Sequence, residues 1–204
     1  MPPKTVGVLL FPEFELLDVF GPLEAFGHAK DWCRIVTVAE HAGPVASAQG
    51  PRAMADHGLA DCPPLDILLV PGGMGTRREV SNRGLVDWIA RRARTAEITT
   101  SVCTGAALLA KAGVLDGRRA TSNKRAFGWV SEQGRKVDWV RQARWVDDGN
   151  VVTSSGVSAG IDMALHLIGR IAGPTARDEI ATRMEYEWQS DPAHDPFAKV
   201  WGLA

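Results

Sequence analysis

Cysteine is scarce in this chain. Three occur among 204 residues, and no two form a C-x-x-C pair. Cys33, Cys62 and Cys103 are odd in number and widely spaced, so neither a disulfide framework nor a zinc site is indicated. Charge of one sign is also missing. The formal net charge is −1, and a nucleic-acid partner would call for a basic surplus. The cluster Arg91, Arg92 and Arg94 reads as the solvated face of a helix. No apolar run reaches the ~18 residues of a membrane span, so no membrane partner is expected. The first apolar run meets Glu13, Glu15 and Asp18 at once, with no small-residue cleavage site, so a secretory signal is not expected and the cytoplasm is the default compartment. Internal repeats, low-complexity tracts and linkers are absent. What remains is ordinary for a soluble globular domain, 45% hydrophobic and 23% charged, with enough length for one substantial core over residues 1–204.

Buried runs alternate with amphipathic ones. Val6 to Phe11, Cys33 to Ala39, Ile67 to Val70 and Ile98 to Val102 read as strands, the continuous apolar ones buried on both faces. Phe14 to His28 has helical spacing, but Gly21-Pro22 is expected to break or kink it. Val45 to Ala55 suits a small β excursion. Leu85 to Ala96 and, after the cysteine elbow, Ala106 to Ala112 read as helices, with Gly113 at C′ of the second. Leu115-Asp116-Gly117 marks a turn and Ala120-Thr121 a short strand. Lys124 to Gln133 reads as a helix. Val137 to Val146 and Val151 to Ser154 read as a strand pair around Asp148-Gly149. Two helices are expected from Ser158 to Ile171 and from Pro174 to Tyr186, then an irregular tail. The alternation predicts an α/β fold: a mostly parallel, doubly wound sheet with helices on both faces.

Ser101-Val102-Cys103-Thr104-Gly105 places a cysteine on a sharp strand-to-helix turn. Gly105 and Ala106 leave room for the tight backbone. A helix N-terminus aimed at the sulfur is expected to lower the thiol pKa to roughly 3.5–7.5. In open α/β sheets ligands bind beyond the carboxyl ends of strands. Two further segments fall there, Pro12 to Asp18 and Pro71-Gly72-Gly73-Met74-Gly75. The glycine turn is neither a G-x-G-x-x-G pattern nor a P-loop. Its better use is to offer the Gly73 N–H, paired with that of Thr104, to a developing anion. Asp18 lies among apolar neighbours, where an unpaired carboxylate is costly. It either closes a turn or exchanges a proton with Cys103, and burial would raise its pKa toward that task. Glu15, one helical turn earlier, is an equal rival on residue type alone.

At these residues the chain resembles the ThiJ/PfpI superfamily, within the class I glutamine amidotransferase-like fold. The resemblance rests on Leu17-Asp18-Val19-Phe20-Gly21-Pro22, Val70-Pro71-Gly72-Gly73, Ser101-Val102-Cys103-Thr104-Gly105 and Gly156-Val157-Ser158-Ala159-Gly160-Ile161-Asp162, and spans nearly the whole chain. The form L-D-x-x-G-P with S-V-C-T-G is most similar to the isocyanide (isonitrile) hydratase branch, a form shared by sensor domains of some AraC-type regulators. The resemblance implies a flavodoxin-like homodimer with a nucleophile-elbow cysteine and no cofactor or metal. It also favours Asp18 over Glu15 as the group beside the sulfur, with Glu15, Gly72, Asn123, Gly156 and Val157 bordering the pocket. One departure stands out. Family members often carry histidine where Asn123 follows Thr121-Ser122. The five histidines (28, 41, 57, 166 and 194) leave the usual triad place empty, and a Cys-His amidase needs an imidazole there. His166, inside an apolar helix, reads as structural, and Trp129, Trp139 and Trp145 read as core.

The expected function is a cysteine-dependent, cofactor-free hydratase that turns a small-molecule isocyanide into an N-substituted formamide. Cys103 is the expected nucleophile and Asp18 the proton carrier. The alternatives are a glyoxalase-like enzyme acting on 2-oxoaldehydes and a non-catalytic ligand- or oxidant-sensing domain. No helix-turn-helix pattern occurs by residue 204, so a complete AraC-type regulator is not expected.

Overall fold

The computed structural model describes residues 2–204. In chain order its elements are β1 (Lys4–Leu9), α1 (Leu16–His28), β2 (Cys33–Ala39), β3 (Gly43–Ala46), β4 (Arg52–Ala55), β5 (His57–Gly58), β6 (Ile67–Val70), α2 (Thr76–Glu79), α3 (Arg83–Thr95), β7 (Ile98–Ser101) and α4 (Gly105–Lys111). There follow β8 (Arg119–Ala120), α5 (Phe127–Glu132), β9 (Asp138–Trp139), β10 (Trp145–Asp148), β11 (Val151–Ser154), α6 (Ala159–Ala172), α7 (Pro174–Arg183) and α8 (Phe197–Val200). Seven strands form one sheet in the order β10-β11-β7-β6-β1-β2-β5. Every pairing in it is parallel except β10 with β11. The mostly parallel, doubly wound architecture expected from the sequence is what is seen.

The strand order explains where a site can form. From β1 the chain moves to β2 on one side, then returns to β6 and β7 on the other. Right-handed crossovers then put the connecting helices on opposite faces. Accordingly α1 packs with α6 and α7, whereas α4 packs with α2, α3 and α5. With both faces covered, β6 and β7 are buried at every position. The strand order reverses between β1 and β6, and the loops after them part there to leave a crevice. No helix among the described residues is long and apolar enough to cross a membrane.

Several local expectations need correction. Helix α1 runs unbroken through Pro22. The proline removes the N–H that would have met the Asp18 carbonyl, but packing of α1 against α6 at Ile161 and Gly160 outweighs that loss. Residues 137–146 are not one strand. Asp138–Trp139 pairs with β8 in a separate small sheet, and only Trp145–Asp148 forms the hairpin with β11. Helix α5 is shorter than expected, because residues 123–126 form the turn that Asn123 closes. Two short helices, α2 and α8, carry too few residues for a periodic signal. Gly113 is at C′ of α4 with φ +73°, as its position suggested. On α3, Arg91 and Arg94 are exposed, whereas half-buried Arg92 donates to the carbonyls of Cys62 and Pro63.

Candidate active site

Three loops at the carboxyl ends of β1, β6 and β7 interlock over the crevice. Glu15 N–H donates to the Gly72 carbonyl at 2.9 Å, and Gly75 N–H to the Glu13 carbonyl at 3.1 Å. Gly72 N–H donates to Asp18 Oδ2 at 2.8 Å. Only glycine fits at position 72: a Cβ there would lie 2.5 Å from Thr104 N and 2.9 Å from Asp18 Oδ2. The glycine turn therefore serves close approach of three segments, and it brings the Asp18 carboxyl under the cysteine loop.

Cys103 has φ +57°, a left-handed backbone that is uncommon for a residue with a side chain. Four hydrogen bonds fix it. Cys103 N–H donates to the Ser155 carbonyl at 3.1 Å, Val102 N–H to Val70 at 3.1 Å and Gly105 N–H to Val102 at 2.9 Å. Ser122 Oγ donates to the Cys103 carbonyl at 2.8 Å. Val157, in the loop after β11, has φ +46°, a strained value for a β-branched residue. Of the four non-glycine residues with positive φ among the described residues, three (Glu13, Cys103 and Val157) lie on loops that meet here. Strain of this kind persists only where the surroundings over-determine it, and it gathers at working sites.

The electrostatics correct one expectation. The Cys103 thiol is pushed well up, not down. Burial is the main cause, since the residue is 6% exposed, and the Asp18 carboxyl adds to it. The N–H groups of Thr104 and Val157 bear on the sulfur and oppose the rise without cancelling it. A helix of seven residues cannot offset that desolvation. The Asp18 carboxyl is likewise raised well above the carboxylate range, first by burial, against the pull of Gly72 N–H, and then by the nearby charge of Glu15. Its Oδ1 is buried with no hydrogen-bond partner.

The other expected site residues divide into two groups. Glu15 is half-buried at the N-terminus of α1, where its Oε1 accepts from Gln49 Nε2 at 2.6 Å; it bears on Asp18 and Cys103 through charge. Val157 meets the sulfur through its N–H. Gly73 does not offer its N–H to the crevice: it donates to Thr104 Oγ1 at 3.0 Å. Asn123 Oδ1 accepts from Ala126 N–H at 3.0 Å, and its amide nitrogen lies against Gly156, so it braces the loop before Lys124. Ser122 and the Val157 amide carry no local sequence signal for these roles, because each acts through a contact far away in the chain. Thr76 Oγ1 donates to the Gly73 carbonyl at 2.7 Å and locks the turn.

Among the described residues no histidine hydrogen-bonds or ion-pairs with Cys103 or Asp18; His28, His57 and His166 pair with Glu24, Asp61 and Asp147. Trp145 is buried, and Trp129 and Trp139 are partly buried against the core. A cavity of about 720 Å³ lies elsewhere, between Trp145, His166 and Trp188, and includes neither Cys103 nor Asp18.

The sequence profile of the DJ-1/PfpI family matches residues 4–170. The chain belongs to the DJ-1/PfpI family. Among its curated relatives in that family, the isonitrile hydratase of Pseudomonas putida is 34% identical over 89% of this chain and 78% of the relative. The HTH-type transcriptional regulator GbdR of Pseudomonas aeruginosa is 30% identical over 91% of this chain, which spans 51% of the regulator. A crystal structure of a ThiJ/PfpI family protein from Pseudomonas syringae superposes with a TM-score of 0.85 at 30% identity, covering 93% of this chain and 77% of that one.

Proposed function

We propose that this DJ-1/PfpI protein is a cofactor-free isocyanide hydratase. The observation that carries this reading is the buried Asp18 carboxyl set beside the buried Cys103 thiol, with no histidine hydrogen-bonded or ion-paired to either among the described residues. An isocyanide carbon takes a proton and a nucleophile at the same atom. Asp18 delivers its proton to the terminal carbon while Cys103 sulfur bonds to it, and the thiol proton passes to the Asp18 carboxylate. The product is a thioimidate, R–N=CH–S–Cys103. Water then adds to that carbon, the nitrogen takes a proton, and the C–S bond breaks. An N-substituted formamide leaves, and Cys103 regains its proton. The N–H groups of Thr104 and Val157 steady the sulfur as its charge changes. An amidase would need an acid at an amine leaving group, which this reaction does not have.

Similarity to the P. putida enzyme over most of the chain supports this reading. The matches to regulators support a second one, a ligand-sensing domain without turnover. A homodimer forms part of the proposal, supported by Leu17 and Phe20, exposed on α1 beside the site; sedimentation giving a 22 kDa species would remove that part. The deciding experiment incubates the protein with alkyl and aryl isocyanides, methylglyoxal and small amides, and analyses the products. Formamide formation that disappears in Cys103→Ala is the expected result. Lactate from methylglyoxal would establish the glyoxalase alternative. Binding that raises the melting temperature without product would establish the sensor.

A further inference from the structure

The segment between α7 and α8 has no regular structure, yet two chains of contacts, one of hydrogen bonds and one that begins with an ion pair, run from it to the two backbone polar groups of Cys103. In the first, Arg144 N–H donates to the Pro192 carbonyl at 2.7 Å, Ser155 N–H to the Arg144 carbonyl at 2.7 Å, and Cys103 N–H to the Ser155 carbonyl. In the second, the Lys124 ammonium stands 3.4 Å from Asp195 Oδ2 and donates to the Ser122 carbonyl at 3.2 Å. Ser122 Oγ then donates to the Cys103 carbonyl. The segment is anchored at its near end as well. Gln189 N–H donates to Asp162 Oδ1 at 3.0 Å, and Trp188 Nε1 to the Asp162 carbonyl at 3.2 Å.

The ion pair is unusual in its burial. The side chains of Lys124 and Asp195 are 2% and 0% exposed. Lys124 spends its other hydrogens on Thr121 Oγ1 and the Ala143 carbonyl, both at 2.7 Å. Asp195 Oδ1 accepts from Phe197 N–H at 3.0 Å, while Oδ2 has the ammonium as its neighbour and no hydrogen bond of its own. A pair this deep carries a desolvation penalty that an apolar contact would avoid, so it is a poor device for docking a tail and a good one for fixing a geometry. The geometry in question is a left-handed cysteine, which relaxes unless both of its ends are held.

We propose that Lys124 and Asp195 are positioning residues for the Cys103 nucleophile, and that residues 188–195 form a clamp holding the elbow in its left-handed conformation. Neither residue touches the sulfur; both act through Ser122. The inference builds on Cys103 as nucleophile, but the clamp can be tested without turnover.

The full chain is compared with Lys124→Met, Asp195→Asn and Ser122→Ala, and with Asp147→Asn, whose partners His166 and Arg170 lie outside both chains. Hydrogen exchange is read on the peptide covering 101–108, along with alkylation of Cys103 by iodoacetamide. Kinetics follow on an isocyanide that the wild type converts. Faster exchange at 101–108 and altered alkylation are expected in the first three variants and not in Asp147→Asn. A fall in kcat of about tenfold or more is expected, with KM within about twofold, because misplacing a reacting group by an ångström costs rate rather than binding. In the double variant Lys124→Met/Asp195→Asn the loss should not exceed that of Lys124→Met alone. Unchanged exchange and alkylation at the elbow in folded variants would overturn the clamp. Should Lys124→Met fail to fold, Asp195→Asn and Ser122→Ala carry the test. A wild type that converts no isocyanide would defeat the proposed function while exchange and alkylation still decide the clamp.

Discussion

Two carboxylates carried by helices, Asp162 and Asp18, are completely buried against other loops, and they are treated in opposite ways. Asp162 on α6 is answered in full. Arg144 Nε donates to its Oδ2 at 2.6 Å, and Gln189 N–H donates to its Oδ1. Burial still raises it, but the Arg144 guanidinium pulls it back. Asp18 on α1 has one backbone N–H, from Gly72, the Cys103 thiol beside it, and no cation. Its nearest charge, Glu15, has the same sign. Both residues are 0% exposed, so burial alone separates nothing. Their partners differ: Asp162 has a guanidinium and a backbone N–H, whereas Asp18 has one backbone N–H and the Cys103 thiol as its neighbour.

The comparison can be broken at either end. The largest stability effect is expected from Asp162→Ala, which strands the Arg144 charge and the Gln189 N–H; removing one partner of such a pair costs about 3–5 kcal/mol. Urea unfolding with an unchanged m-value measures it, and a loss below about 1 kcal/mol would show the pair to be ornamental. Asp18→Asn should do the reverse. We expect turnover to fall at least ~100-fold, the scale of a general acid or base, with no loss of stability. A variant that unfolds as readily as Asp162→Ala would make Asp18 a turn-closing residue instead.

A subtler separation is by pH. Since the folded-state pKa of Asp18 is raised, the folded chain holds more protons than the unfolded one above the ordinary carboxylate range. Its contribution is fully present at low pH and is lost as pH rises through the folded value. Denaturation curves of wild type and Asp18→Asn should therefore converge in acid and diverge toward neutrality in favour of the variant. The thiol follows the same logic. Cys103 should alkylate more slowly than a free cysteine at pH 6, because burial pushes its thiol up. Labelling of wild-type Cys103 at pH 6 faster than free cysteine would restore the activated thiolate. Smallest of all, Asn123→His should give no measurable amide hydrolysis. Asn123 braces the Gly156 loop, and among the described residues no group stands ready to orient an imidazole toward Cys103.

The sequence made the frame and the centre of the site legible. The apolar runs behind β1 and β6 are long enough to show burial on both faces, and the Cys103 turn is marked by its glycine. Asp18 was visible as a charge in an apolar helix. The thiol's electrostatics were not, because burial depends on everything packed around the sulfur, whereas the helix N-terminus is local. Pro22 misled for the same reason: one lost hydrogen bond is a local cost, and the α1–α6 contact that offsets it is distant. The Lys124–Asp195 pair had no signal at all, since nothing near either residue requires the other.

The strand order has a consequence in time as well as in space. β7 is flanked by β6 and by β11, whose pairings with it join residues far apart in the chain. Parallel partners cannot meet through a tight hairpin and must wait for the intervening crossover, and chains dominated by such distant contacts fold slowly. Asp18 and the Gly72 turn come together when β1 pairs with β6, and the cysteine turn has its Ser155 support only while β11 is docked on β7. A variant that loosens β11 should therefore open the thiol to solvent, and alkylation of Cys103 would report on that docking.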